Sequence, residues 1–139
     1  MNLISTRIIT ADVKKLISFY EYITGIQLIQ YTEDFAELKT ASATLAIGST
    51  KTLQFFGGDE VAKAAQNKSA IIEFKVADVD KEYQRMENFL AQYIVQNPTL
   101  MAWGNKSLLF RDPDGNLVNF FTPVTAEAIN KFQDHTTSH

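Results

Sequence analysis

The feature that most constrains this chain is an internal repeat. Residues 7–15 read RIITADVKK and residues 73–81 read EFKVADVDK, so one spacing separates Arg7 from Glu73, Asp12 from Asp78 and Lys15 from Lys81. Self-similarity at a fixed offset is the mark of a duplicated supersecondary unit, and it commits the chain to building one local structure twice.

The surroundings of each Ala-Asp-Val agree with that. In the second copy Ile72, Phe74 and Val76 alternate with Glu73, Lys75 and Ala77, which is a strand buried on one face. Asp78 then reads as the cap of a helix whose stripe is Val79, Tyr83, Met86, Phe89 and Leu90. In the first copy Ile4, Thr6 and Ile8 are the buried strand face and Asp12 the cap. Val13, Leu16, Phe19, Tyr20 and Ile23 form the stripe, and Gly25 is the helix stop. Three short strands are expected after each helix, near Gln27–Tyr31, Asp34–Lys39 and Ala43–Ile47, then near Tyr93–Gln96, Lys106–Arg111 and Leu117–Thr122. Thr52–Phe55 reads as an extra edge strand. The small, polar run 57–68 reads as a linker, and Thr125 as the cap of a short helix carrying Ala128, Ile129 and Phe132. The closing HTTSH reads as a frayed tail.

The expected fold class is therefore α+β. Two tandem βαβββ modules form curved, mainly antiparallel sheets around a concave cleft, with the helices on the outer face. One domain covers residues 1–123 (module one 3–56, linker 57–68, module two 69–123), and 124–139 holds a C-terminal helix and a disordered tail. At 139 residues, 45% apolar and 21% charged, the chain can bury a core without staples. A net charge of −3 argues against a nucleic-acid partner. The absence of Cys removes disulfides, thiolate metal sites and Cys nucleophiles. No run has the length of a membrane span and the start is not that of a signal peptide, so a cytoplasmic protein with no membrane partner is expected. Neither glycine-rich phosphate loop, GxGxxG or GxxxxGK[ST], occurs.

The turn RDPDGN, Arg111 to Asn116, adds a specific signal. Pro113 presets a turn position and Gly115 tolerates positive φ, so the run closes a hairpin, and Asp112 and Asp114 read first as turn residues. A strand entering Asp-Pro-Asp-Gly-Asn and leaving as LVNFF, preceded by TADVKKLISFY, resembles the vicinal oxygen chelate superfamily. That group includes glyoxalase I, extradiol dioxygenases, and fosfomycin- and bleomycin-resistance proteins. The resemblance runs from about Ile4 to Pro123 and identifies the superfamily more sharply than the member.

In metal-dependent relatives four side chains, usually His, Gln or Glu, hold one divalent ion. The resemblance places them at Ser5 and Ile71 on the first strands, Asn119 on the last strand of the second copy, and about Ala46 in the first. Ile71 and Ala46 carry no donor atom, a Ser hydroxyl is a poor ligand and a neutral Asn amide a weak one. The two His, His135 and His139, stand in the tail. No metal, cofactor or catalytic residue is therefore assigned.

The cleft is expected to be lined instead by Ser5, Arg7, Glu37, Ala46, Ile71, Glu73, Asn119 and Phe121, with Trp103 on a loop either as rim or lid or as a plug at the open end of the sheet. Arg7 and Glu73, at equivalent places, are expected to compensate each other near the floor, or to form an ordinary salt bridge. The first functional expectation is a metal-independent binding protein of the bleomycin-resistance kind, sequestering an amphipathic or aromatic compound as a homodimer. The alternative is a glyoxalase- or dioxygenase-like metalloenzyme (lyase, isomerase or oxygenase) with atypical ligands. A metal-free isomerase or lyase using Glu73 or Glu37 as base is a third.

Overall fold

Each repeat folds as one strand, one helix and three further strands. The computed structural model describes residues 1–137, with side chains as far as Gln133. Residues 138–139 and the side chain of His135 lie outside the described residues. Two compact units result. The first comprises Met1–Lys68 together with Asp112–Asn116, and the second comprises Ser69–Arg111 together with the segment from Leu117 onward.

In the first unit, β1 (Ser5–Thr10) leads into α1 (Val13–Thr24), followed by β2 (Ile29–Thr32), β3 (Phe35–Lys39) and β4 (Thr44–Ser49). The sheet order is β1-β4-β3-β2, with β1 parallel to β4 and the other pairs antiparallel. The α1 crossover makes that parallel pairing reachable. Asp12 accepts a 3.1 Å bond from the Lys15 N–H, and Gly25 ends the helix at φ 69°. The stripe Val13, Leu16, Phe19, Tyr20 and Ile23 is buried as expected. It packs on the sheet face that carries Ile8, Ala36, Leu38, Leu45 and Ile47.

Two expectations for this unit are corrected. Ile4 precedes β1 and is 67% exposed, and Thr6 is exposed too, so the buried face of β1 begins only at Ile8. Thr52–Phe55 is no edge strand: Thr50–Phe56 is a 3₁₀ helix. Ser49 Oγ accepts from Lys51 N–H at 3.1 Å, and Thr52 Oγ1 donates back to the Ser49 carbonyl at 2.7 Å. Such local side-chain bonds compete with a strand ladder and here win.

In the second unit, β5 (Ile71–Lys75), α2 (Val79–Met86), β6 (Ile94–Leu100), β7 (Asn105–Arg111) and β8 (Leu117–Pro123) repeat the plan as β5-β8-β7-β6. Asp78 caps α2 through Lys81 N–H at 3.2 Å. The helix stops at Met86. Of its expected stripe, Val79, Met86 and Leu90 are buried while Phe89 is 43% exposed. Lys106 of β7 pairs with Asp80 of α2 at 2.8 Å and Thr122 of β8 accepts from Val79 N–H at 2.9 Å, so Phe110 and Phe120 share the α2 side. β6 runs longer than expected and accommodates Pro98 because it is an edge strand with register shifts.

A last helix, α3 (Ala126–Thr137), departs from the pattern of outer helices. Phe132 packs on Phe121 with ring centroids 5.2 Å apart, on the side of the sheet opposite Phe120. Gly104, at φ 93°, permits this approach, because a Cβ there would collide with Thr125 Oγ1.

Candidate functional site

The chemistry-bearing side chains predicted from the sequence lie on the sheet face that each unit turns away from its own α1 or α2. In the first unit the ladder places Arg7 opposite Ala46 and Ala46 opposite Glu37, while Ile9, Gly48 and Phe35 occupy the neighbouring rung. Arg7 leans across Gly48, which has no side chain to obstruct it; a Cβ there would stand 3.4 Å from Arg7 Cδ. Its guanidinium carbon lies 4.5 Å from the Phe35 ring centroid and 5.1 Å from that of Phe56, delivered by the 3₁₀ helix. Tyr31 stacks on the far part of this cluster, 5.9 Å from Phe35. Glu37 pairs instead with Lys39 at 3.7 Å.

In the second unit Glu73 stands opposite Asn119, and Asn119 opposite Leu109; the next rung holds Lys75, Phe121 and Ser107. Asn119 Nδ2 donates to Glu73 Oε2 at 2.9 Å, and since a carboxylate only accepts, this bond fixes which end of the amide points where. Asn119 Oδ1 is thereby turned away and buried, and among the described residues it has no partner, nor do Ser107 Oγ and Asn105 Oδ1 on the same face. Buried polar atoms are normally paired, so two amide oxygens and a hydroxyl left over on one sheet face distinguish it from the rest of the fold.

Arg7 and Glu73 each have neighbours inside their own unit, an aromatic cluster for the first and an amide for the second. The repeat correctly placed both on equivalent strands but carried no information about what lies one strand across. Ser5 stands opposite Thr44 and Ile71 opposite Leu117, one rung away from the Arg7–Ala46 and Glu73–Asn119 pairs. Ile71 is 52% exposed. Phe121 is buried against α3, and Trp103 is 67% exposed on the turn between β6 and β7, where Gly104 N–H closes onto the Met101 carbonyl at 3.0 Å.

The residues at the places where relatives hold a metal do not make a donor set for a divalent ion. Ile71 and Ala46 bring no donor atom, Ser5 only a hydroxyl and Asn119 only an amide, and the neighbouring carboxylate of Glu73 is engaged by that amide. Among the described residues no three His, Cys, Asp or Glu cluster at metal-binding distance.

A buried contact in the first unit went unforeseen. Asp112 is more than a turn residue: it accepts from Asp114 N–H and Asn116 N–H at 2.9 Å each, from Asn116 Nδ2 at 2.8 Å, and from the Tyr20 hydroxyl at 2.7 Å. Burial, and next the negative charge and hydrogen bond of Asp112, hold the Tyr20 pKa well above its ordinary value. The apolar stripe accounts for the Tyr20 ring alone, and nothing local in the sequence links its hydroxyl to a residue so distant.

A duplicated βαβββ scaffold, with Arg7, Phe35, Glu73 and Asn119 on the faces away from α1 and α2, defines the class of protein. The chain belongs to the Glyoxalase/Bleomycin resistance protein/Dioxygenase superfamily, whose family model matches residues 2–120. It is 26% identical over 126 residues to the uncharacterized protein YraH of Bacillus subtilis, with 87% of this chain and 98% of YraH covered. It also resembles a solved glyoxalase/bleomycin resistance protein/dioxygenase family enzyme from Burkholderia phytofirmans, at TM-score 0.78 and 15% identity, covering 89% of this chain and all of that one. A glyoxalase-related enzyme from Fulvimarina pelagi matches at TM-score 0.73 and 15% identity, over 90% of this chain and 93% of that one. At such identities these two structures speak for the fold. No helix among the described residues is long and apolar enough to cross a membrane.

Proposed function

We propose that the protein binds an amphipathic or aromatic small molecule without a metal, on the face of the second unit's sheet that carries Glu73, Asn119 and Ser107. The observation that supports this is the set of buried acceptors without partners beside an oriented carboxylate. Acceptors call for a guest with N–H or O–H donors, such as an aromatic amine, and Leu109 and Phe121 on adjoining rungs offer apolar contact. A homodimer and a cytoplasmic location belong to the same proposal; light scattering on the purified protein reads the first.

Thermal shift with tryptamine and its neutral analogue 3-ethylindole, each in chelator and then with Zn²⁺, Ni²⁺, Mn²⁺ or Fe²⁺, tests the reading. The amine is expected to stabilise in chelator, by about 2.7 kcal/mol at a hundredfold excess over its dissociation constant, and Asn119→Ala with Ser107→Ala to abolish the effect. Stabilisation confined to divalent ions at low concentration would overturn the proposal in favour of a metalloenzyme with atypical ligands.

A further inference from the structure

We infer that the first unit carries a separate site for an organic anion with an aromatic or apolar body, centred on Arg7. This site stands on the first unit's own geometry and does not depend on the binding proposed for the second.

The guanidinium of Arg7 is held by ring faces rather than by a carboxylate. Phe35 and Phe56 lie 4.5 and 5.1 Å from its central carbon, and among the described residues it has no ion-pair partner. A cation on an aromatic face interacts through its π surface, which leaves its in-plane N–H donors free for a second partner. Those donors form a planar fork that matches a carboxylate's two oxygens. The nearest candidate within the sheet, Glu37, is on the same rung but two strands across, roughly 10 Å away at ordinary strand spacing, and it is engaged by Lys39. Arg7 thus has positive charge, fixed orientation and unspent donors at an exposed position.

The surroundings select what the anion is attached to. Phe56 is 57% exposed and Tyr31 51% exposed, both on the open side of the cluster that grips Arg7. Ala46 and Gly48 on β4 beneath are buried, and a Cβ at Gly48 would meet Thr52 Oγ1 at 3.0 Å and Arg7 Cδ at 3.4 Å, so the accessible ground beside the guanidinium is that of Phe56 and Tyr31. An aryl carboxylate meets both requirements at once, its oxygens on the guanidinium fork and its ring beside Phe56 and Tyr31. Bare inorganic anions meet only the first.

The test is an NMR titration of ¹⁵N-labelled full-length protein with naphthalene-2-carboxylate, following the Arg7 Nε–H and the backbone amides of 35, 46–48 and 56. Naphthalene-2-carboxamide and sodium sulfate serve as controls. Saturable shifts at those signals with the carboxylate, weaker by about tenfold or more with the neutral amide, are expected because a charge-assisted bond is about twice as strong as a neutral one. Arg7→Gln should abolish the response while leaving distant amides in place, and Phe56→Leu should weaken it with the charge intact. Equal binding of carboxylate and carboxamide, a response that survives Arg7→Gln, or sulfate binding as tightly as the naphthoate would each overturn the inference. The amides of β7 and β8 report separately on the second unit, so failure at Arg7 is distinguishable from failure there.

Discussion

Replacing Tyr20 with Phe isolates one buried bond. The hydroxyl donates to Asp112 Oδ2 at 2.7 Å, Tyr20 is fully buried, and Asp112 is 1% exposed. A hydrogen bond to a charged acceptor is worth about 1.5–3 kcal/mol net. Asp112 keeps three other donors, from Asp114 and Asn116, so the carboxylate is not orphaned and the loss should stay within that range. Urea unfolding at pH 7, followed by far-UV circular dichroism, should show a lower midpoint with an unchanged slope. The pH dependence has a definite sign. The Tyr20 pKa is raised in the folded protein, so its contribution is fully present below the unfolded value near 10 and is lost as pH rises toward the folded value. Above about pH 10 the wild type should therefore lose stability relative to Tyr20→Phe by up to about 1.4 kcal/mol per pH unit, narrowing the gap. The other tyrosines are common to both proteins and cancel. A variant within about 0.5 kcal/mol of wild type at pH 7, or a gap that widens in alkali, would refute the reasoning.

Two further outcomes test how the elements are held. Asp12→Ala and Asp78→Ala each remove a helix cap and should each cost about 1 kcal/mol, measured by urea midpoint; Ser at either position should restore most of it. Gly104→Ala places a Cβ against Thr125 Oγ1 at a backbone φ of 93°, so it should cost more than about 2 kcal/mol and detach α3, seen as faster amide exchange through 126–133.

Local periodicity carried most of the fold because caps, stripes and alternation are written in adjacent residues. Asp12, Asp78, Gly25 and the five-residue α1 stripe were legible for that reason. What sequence reading missed depends on lateral register or on distant partners. Counting from the caps put Ser5 and Ile71 on the correct face, yet the parallel ladders pair Ala46 with Arg7 and Asn119 with Glu73. The 3₁₀ helix was misread because Thr52, Leu53, Phe55 and Phe56 have strand propensity, while Ser49 and Thr52 hydroxyl bonds decide the backbone locally. Phe56 reaches Arg7 as a consequence, which no alternation rule contains. The Glu73–Asn119 bond is legible only once β5 and β8 are known to be in register.

The two copies diverge unevenly, and the unevenness points to where selection by chemistry acts. On the sides that face α1 and α2, the matched positions at the centre stay apolar: Ile8 with Phe74, Val13 with Val79, and, through the register, Leu45 with Val118 and Ile47 with Phe120, while Thr6 and Thr10 at the ends of β1 match Ile72 and Val76. Packing demands this, since exchanging a buried apolar side chain for a polar one leaves an unpaired group costing about 1–3 kcal/mol. On the opposite faces five matched pairs along the β1–β4 and β5–β8 ladders change class: Ser5 with Ile71, Arg7 with Glu73, Ile9 with Lys75, Ala46 with Asn119, and Gly48 with Phe121, while Lys39 with Arg111 at the sheet end stays cationic. Packing alone does not require such a switch from cation to carboxylate, or from empty to filled. The result is one face offering donors on an aromatic bed and another offering orphan acceptors beside a carboxylate. The scaffold has been kept twice while the faces away from α1 and α2 differ in charge, with Arg7 on an aromatic bed in one and Glu73 beside Asn119 in the other.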